Sequence, residues 1–276
     1  MDLIAHHLKE DYNRFHKEIP ENMPFTGTLI GYEEVLKAHY LICDYFENST
    51  GEGSVYGVKN FNLLGSALGR QVVSFSGRQK WVQFHEISAT LFFGLVKNHA
   101  FHDGNKRTAL LTLIYQLYKY GRILDCNKRD FEKLTVNIAS NSLSSYRGFA
   151  KKDPDAEVKF IADFVRRNTR EIDKRYYPLT YREFNRNLNR FNCYLDNPSG
   201  GFISVYKKEI VRRRYRFWQT KEIISKVFQI GFNGWKNQVR PKAVKEVLKA
   251  TGLTAENGID SQIFYASSAE SVGRGR

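Results

Sequence analysis

His99-Ala100-Phe101-His102-Asp103-Gly104-Asn105-Lys106-Arg107 joins the two most regular helical stretches of this 276-residue chain. On its N-terminal side Phe84, Ile87, Leu91, Phe92, Leu95 and Val96 recur at helical spacing between Val82 and Lys97, which makes one broad apolar stripe. On its C-terminal side Leu110, Leu113, Ile114, Leu117 and Tyr118 repeat the pattern over 106–120, and Gly121 stands where a C-cap belongs. The polar run between them is read as a compact loop ending at a helix N-terminus. Backbone N–H groups there lack partners, and the helix dipole draws anions.

The residue types in the loop suit phosphate chemistry. Gly104 lets the backbone bend and lets a phosphate approach without a Cβ in the way. Asn105 can bind a phosphate oxygen while holding the loop, Lys106 adds positive charge, and Arg107 can bond two phosphate oxygens at once. Asp103 offers a hard oxygen ligand of the kind Mg²⁺ takes when it bridges such phosphates. His99, at the loop's start, carries the side chain whose ordinary pKa lies nearest neutrality, so it is the candidate general base. Phe101 is the structural anchor. His102 and His85 are read as structural or solvent-facing, because a lone histidine beside a helix end seldom does chemistry.

With those residues set out, the loop resembles the signature of the Fic/Doc (Fido) family, His-x-Phe-x-Asp/Glu-Gly/Ala-Asn-Gly/Lys-Arg. Every fixed position is met, by His99, Phe101, Asp103, Gly104, Asn105, Lys106 and Arg107. The similarity extends over about residues 30–145. Leu63 to Arg70 looks like the family's segment before the flap, and the stretch to Trp81 like the hairpin flap that aligns a target. The resemblance implies a helical core, His99 as base on a target hydroxyl, Asp103 on Mg²⁺, and a loop cradling the phosphates of ATP. Lys106 and Leu110 look like the Doc (death-on-curing) branch, since adenylyl-transferring members carry Gly and a second Arg there. That branch implies γ-phosphate transfer, with elongation factor Tu as a target. Gly104 departs from Doc, which favours Ala. Self-restrained members carry a Ser/Thr-x-x-x-Glu-Gly/Asn helix. The nearest match here is Glu52-Gly53 with Asn48 at the Ser/Thr position, so any inhibitor is expected to be a separate antitoxin-like partner.

Outward from the loop, the expected fold is mainly α: a Fic/Doc helical core with a small β-hairpin flap, then a small α+β C-terminal domain. The boundaries are an N-terminal arm at 1–29, the Fic/Doc domain at 30–150, a charged helical linker at 151–180, a basic α+β domain at 181–266 and a disordered tail at 267–276. Gly31 to Phe46 places Val35, Ala38, His39, Ile42 and Tyr45 on one stripe, and 47–57 is loop by composition. Phe61 to Leu68 and Asp130 to Ser140 are predicted helices, with Gln71 to Trp81 a hairpin between the first of these and the loop's leading helix. Beyond the linker, Tyr181 to Phe191 reads as helix, and Cys193 to Leu195 and Phe202 to Tyr206 as strands. Val211 to Trp218 reads as a third strand, and Lys221 to Phe228 and Pro241 to Ala250 as helices.

Charge divides the chain. Residues 151–276 hold 26 Lys+Arg against 14 Asp+Glu, whereas 1–150 hold 17 against 15, and all seven histidines precede residue 103. A solvated basic face and a nucleic-acid partner are the two explanations. Arg212, Arg213, Arg214 and Arg216 interleave with Tyr215, Phe217 and Trp218, which combines phosphate pairing with stacking faces and marks candidate RNA contacts. The element order here resembles RNA-binding α+β domains of the HicA or double-stranded-RNA-binding type, without the HicA histidine. Cys43, Cys126 and Cys193 are scattered, which fits a reducing compartment. No run approaches the ~18 apolar residues of a membrane span, and the N-terminus lacks a secretion-signal pattern, so a cytoplasmic protein is expected. The leading expectation is a toxin-like phosphotransferase acting on a Ser, Thr or Tyr hydroxyl of a protein, a translation factor among the targets. Protein adenylylation is the alternative, and an RNA-binding protein with a degenerate Fido core is the alternative of another class.

Overall fold

The computed structural model describes residues 5–21, 24–50, 55–150, 153–215 and 217–272, with only the backbone of 48–50, 210–215, 217–221 and 267–272. Two compact units divide between Glu171 and Ile172, and each has its own apolar core.

The first unit begins with α1 (His6–His16). Leu8, Tyr12 and Phe15, at i, i+4 and i+7, bury one side of this helix in the core. The expected arm is thus part of the packed unit, and the Tyr40 hydroxyl donates to Asp11 at 2.5 Å across the contact with the next helix. That helix, α2 (Tyr32–Thr50), runs four residues into the stretch read as loop. Val35, Ala38 and His39 are buried as the stripe predicts, whereas Tyr45 faces outward. Asn60 caps α3 (Phe61–Gly69) by accepting from the Leu63 N–H. The hairpin β1 (Ser74–Phe75) and β2 (Arg78–Gln79) turns through Ser76 and Gly77, both at positive φ, as a two-residue hairpin turn requires. It projects Phe75, 82% exposed, from the surface.

The helix preceding the loop is α4 (Phe84–Asn98), whose N-terminus is closed by the Glu86 carboxylate accepting from the Gln83 N–H. The helix after it is α5 (Asn105–Lys119). Short strand β3 (Arg122–Leu124) and α6 (Lys128–Ala139) follow. The segment read as a linker supplies α7 (Ala156–Arg167), which buries Val158, Ile161, Ala162 and Val165 in this same core, and β4 (Thr169–Glu171), antiparallel to β3. Charged residues on the outer face of α7 gave that stretch its linker-like composition, while its apolar stripe packs inward.

The second unit opens with α8 (Tyr181–Asn189), capped reciprocally by Thr180 and Glu183. An antiparallel meander follows, β5 (Cys193–Ser199), β6 (Phe202–Tyr215) and β7 (Phe217–Gly231), in the order β5-β6-β7. Cys193, Leu195, Ile203, Val205 and Ile230 bury one face of the sheet. Two expectations are corrected here. Val211 to Trp218 is no separate strand: it straddles the tip of the β6–β7 hairpin, where Tyr215 pairs Phe217. Lys221 to Phe228 is strand and not helix. Its Ile223, Ile224, Val227 and Phe228 mimic helical spacing, but β-branched residues favour the extended chain and β6 supplies a full ladder of partners. As expected, α9 (Pro241–Thr251) has Pro at N1 and left-handed Gly252 at its end. The final helix, α10 (Ser261–Val272), enters the stretch expected to be disordered, of which 273–276 lie outside the described residues.

The crossing of α3 and α4 sets where the loop begins. A Cβ built on Gly94 would lie 2.7 Å from the Arg70 side chain and 3.1 Å from the Ala67 backbone. Gly94→Ala must therefore spread the two helices, and we expect it to destabilise the first unit by roughly 1–3 kcal/mol. Thermal denaturation monitored by circular dichroism checks this, with a lowered midpoint as the expected outcome.

Candidate active site

The loop between α4 and α5 is bracketed by two left-handed residues. His99 (φ 50°) ends α4 and Gly104 (φ 71°) begins α5. For histidine this conformation is uncommon, and the surrounding contacts hold it. Residues 57–60 run antiparallel beside the loop: the Lys59 and Asn60 N–H groups both donate to the Ala100 carbonyl, and the His102 N–H donates to the Gly57 carbonyl. Asn105 closes the loop on itself, accepting from the Phe101 N–H at 2.9 Å and donating to the Phe101 carbonyl at 2.8 Å. Phe101 is buried, as an anchor should be. The Thr108 N–H then takes the Gly104 carbonyl and starts the helix.

The residues singled out in the sequence lie along this loop and the first turn of α5. His99, Asp103, Lys106 and Arg107 are exposed and Gly104 and Asn105 half-buried, around the first turn of α5. Asp103 accepts from the Gly104 N–H at 2.6 Å, which aligns its carboxylate with the start of the helix. Arg107 lies over the Phe46 ring, 3.9 Å from its centroid, so one face of the guanidinium is covered by the aromatic. No acidic residue sits in the first turn of α5. His102 is exposed and His85 half-buried near Trp81. Arg212, Arg213 and Arg214 are described only as backbone of β6, and Arg216 lies outside the described residues, as do Glu52 and Gly53.

Sequence reasoning missed the residue beneath the loop. His39 of α2 is fully buried and stacks on Phe101, ring centroids 4.0 Å apart. Its Nε2 accepts from the Gly57 N–H at 3.2 Å, which requires the proton on Nδ1, and Nδ1–H points at Thr108 Oγ1, 3.1 Å away. Burial pushes its pKa down to about 3, only partly opposed by the Asp103 carboxylate. The imidazole is thus a neutral spacer joining α2, segment 57–60 and the first turn of α5. The one signal in the sequence was a polar residue on an apolar helical stripe. Its partners, Gly57 and Thr108, are remote in the chain.

Because His39 must be neutral in the fold but takes a proton freely when unfolded, the unfolded state binds more protons between pH 6.5 and about 3. Its share of stability is complete above pH 6.5 and falls as pH drops through that window. From pH 6.5 to 5.0 the loss is about 2 kcal/mol. Denaturant titrations at the two pH values measure it, and His39→Gln is expected to flatten that part of the dependence while lowering stability at neutral pH.

Among the described residues no group of three or more His, Cys, Asp or Glu is placed to hold a metal ion, and no helix is long and apolar enough to cross a membrane. No curated protein matches the chain. Residues 29–117 match the family model described as the Fic/DOC family. That match spans α2, the hairpin, α4, the loop and nearly all of α5, so the chain carries a Fic/DOC domain, and with it the framework of a nucleotide-dependent transferase.

Proposed function

We propose that this domain moves the γ-phosphoryl group of ATP to a Ser, Thr or Tyr hydroxyl of a protein target. The observation that carries the reading is the exposure of His99, Asp103, Lys106 and Arg107 along the closed and anchored loop that leads into α5. His99 takes the hydroxyl proton, the freed oxygen attacks the γ-phosphorus, the bond to the β-phosphate oxygen breaks, and ADP departs. Lys106, Arg107 and the first N–H groups of α5 meet the phosphate charge. Asp103 presents one exposed carboxylate, which suits Mg²⁺ because that ion is commonly held by one or two carboxylates together with substrate phosphates. Bound there, Mg²⁺ would neutralise phosphate charge. The β1–β2 hairpin, with Phe75 projecting, supplies the flap that positions the target segment.

Lys106 and Leu110 favour phosphoryl over adenylyl transfer. Leu110 is half-buried against the core and offers no cation to the outer phosphates of a nucleotide in the adenylylating pose. Gly104 favours the second reading, attack at the α-phosphorus with release of pyrophosphate, because the Doc pattern places Ala there. The setting we propose is a cytoplasmic toxin-like enzyme acting on a translation factor, restrained by a separate antitoxin-like protein, with RNA contacted by the basic second unit.

Incubating the protein with ATP labelled at the γ or the α phosphate, together with a cell extract, separates the activities. Label from the γ position alone, and a target mass gain of about 80 Da, are expected for phosphoryl transfer. Label from the α position and about 329 Da would instead establish adenylylation. His99→Ala should cut transfer by about 10²–10⁴-fold without loss of fold. Unchanged transfer in that variant would remove His99 from the mechanism.

A further inference from the structure

Residues 172–276 hold 20 Lys+Arg against 9 Asp+Glu and no histidine. Two clefts, of about 510 and 430 Å³, open on this unit, and the loop 232–238 between β7 and α9 borders both. The larger presents Gln229, Gln238, Arg240 and Lys242. The smaller presents Arg182, Arg186, Lys236 and the half-buried indole of Trp235. All five of these cations are exposed. The two carboxylates in the linings neutralise little of this charge. Glu183 is turned to the Thr180 N–H and hydroxyl, and Glu246 lies 4.0 Å from Lys242.

The loop itself is built rather than loose. Tyr181 and Arg182 donate their backbone N–H groups to the Asn237 and Trp235 carbonyls, the Tyr181 hydroxyl donates to the Gly231 carbonyl, and Phe232 packs edge-on against both Tyr181 and Trp235. An indole lining one cleft beside three cations, on a loop that also borders a second cleft with side-chain amides and two further cations, matches the needs of a flexible anionic polymer with flat bases. Phosphates pair with the cations, a base stacks on the indole, and the amides offer both donors and acceptors to base edges. An acidic peptide would use the charges but has no part for the indole and the amides.

We infer that the two clefts bordered by the loop 232–238 form one binding site for single-stranded nucleic acid, RNA in particular. This rests on the RNA-contacting role proposed above for the second unit and moves its centre from the arginine run at 212–216 to the loop 232–238.

Fluorescence anisotropy of the full chain with a labelled twelve-nucleotide oligouridine tests this. The expected result is binding whose log affinity falls with log salt at a slope of about −3, as four to five released counterions require. Affinity should fall ten-fold or more in R182E/R186E, in K242E and in Trp235→Ala, with Trp235→Phe retaining most of it and circular dichroism showing the fold intact. His99→Ala, expected to cut transfer, should leave binding unchanged. Binding that survives all three disruptive variants but is lost in R212A/R213A/R214A would overturn the site while keeping the RNA role. No binding by the parent protein at low salt would end both. Equal competition by a twelve-residue polyglutamate would identify a site for acidic peptides instead.

Discussion

A buried imidazole must find a partner for each of its nitrogens or carry the cost of leaving them bare in a dry interior. His39 meets that demand with the Gly57 N–H on one side and the Thr108 hydroxyl on the other, and it lays its face on Phe101. Those three contacts belong to the strand-like segment beside the loop, the helix after it and the loop's own anchor. The loop's position relative to α2 is therefore set by one side chain that stays neutral. A charged imidazole would need an acceptor where the Gly57 N–H now points, so the same ring could not hold this loop while protonated.

Above that support, the loop's stiffness comes from its backbone. Left-handed conformations at His99 and Gly104 reverse the chain twice within six residues, and the paired hydrogen bonds between Asn105 and Phe101 close the interval. Asn105 thereby commits its amide to the loop, so on the proposed reading the phosphate charge would fall more heavily to Lys106, Arg107 and the first N–H groups of α5. Arg107 is itself held flat on Phe46. A guanidinium oriented in advance loses less rotamer freedom when it pairs with phosphate, which favours a fixed phosphate position over a mobile one.

What was legible in the sequence is what is local. The α4 and α5 stripes, the loop residues, the Gln71–Trp81 hairpin and the Pro241 start of α9 all depend on neighbours within a turn or two. What was illegible depends on partners far along the chain. His39 read as one more stripe residue because Gly57 and Thr108 identify its role only after folding. The first helix read as an arm because Leu8, Tyr12 and Phe15 show an apolar side without showing what covers it. In β7, Ile223, Ile224, Val227 and Phe228 satisfy a helical template about as well as an extended one, and the long β6 ladder decides between them. No Gly, Pro or Asn stands between Val211 and Trp218 to break the run, so it read as one strand, whereas Tyr215 pairs Phe217.

Charge follows the same division as the cores. The first unit is nearly balanced, although its loop concentrates cations at one helix end, while the second carries most of the excess and none of the histidine. A transferase needs its positive charge within a few ångströms of the reacting phosphates, where it acts on the transition state. Charge spread over a separate unit can raise the local concentration of an anionic polymer and hold whatever travels with it. Two separate cores would, on the proposed reading, let the two tasks be tuned apart, the loop residues setting transfer and the second unit setting capture.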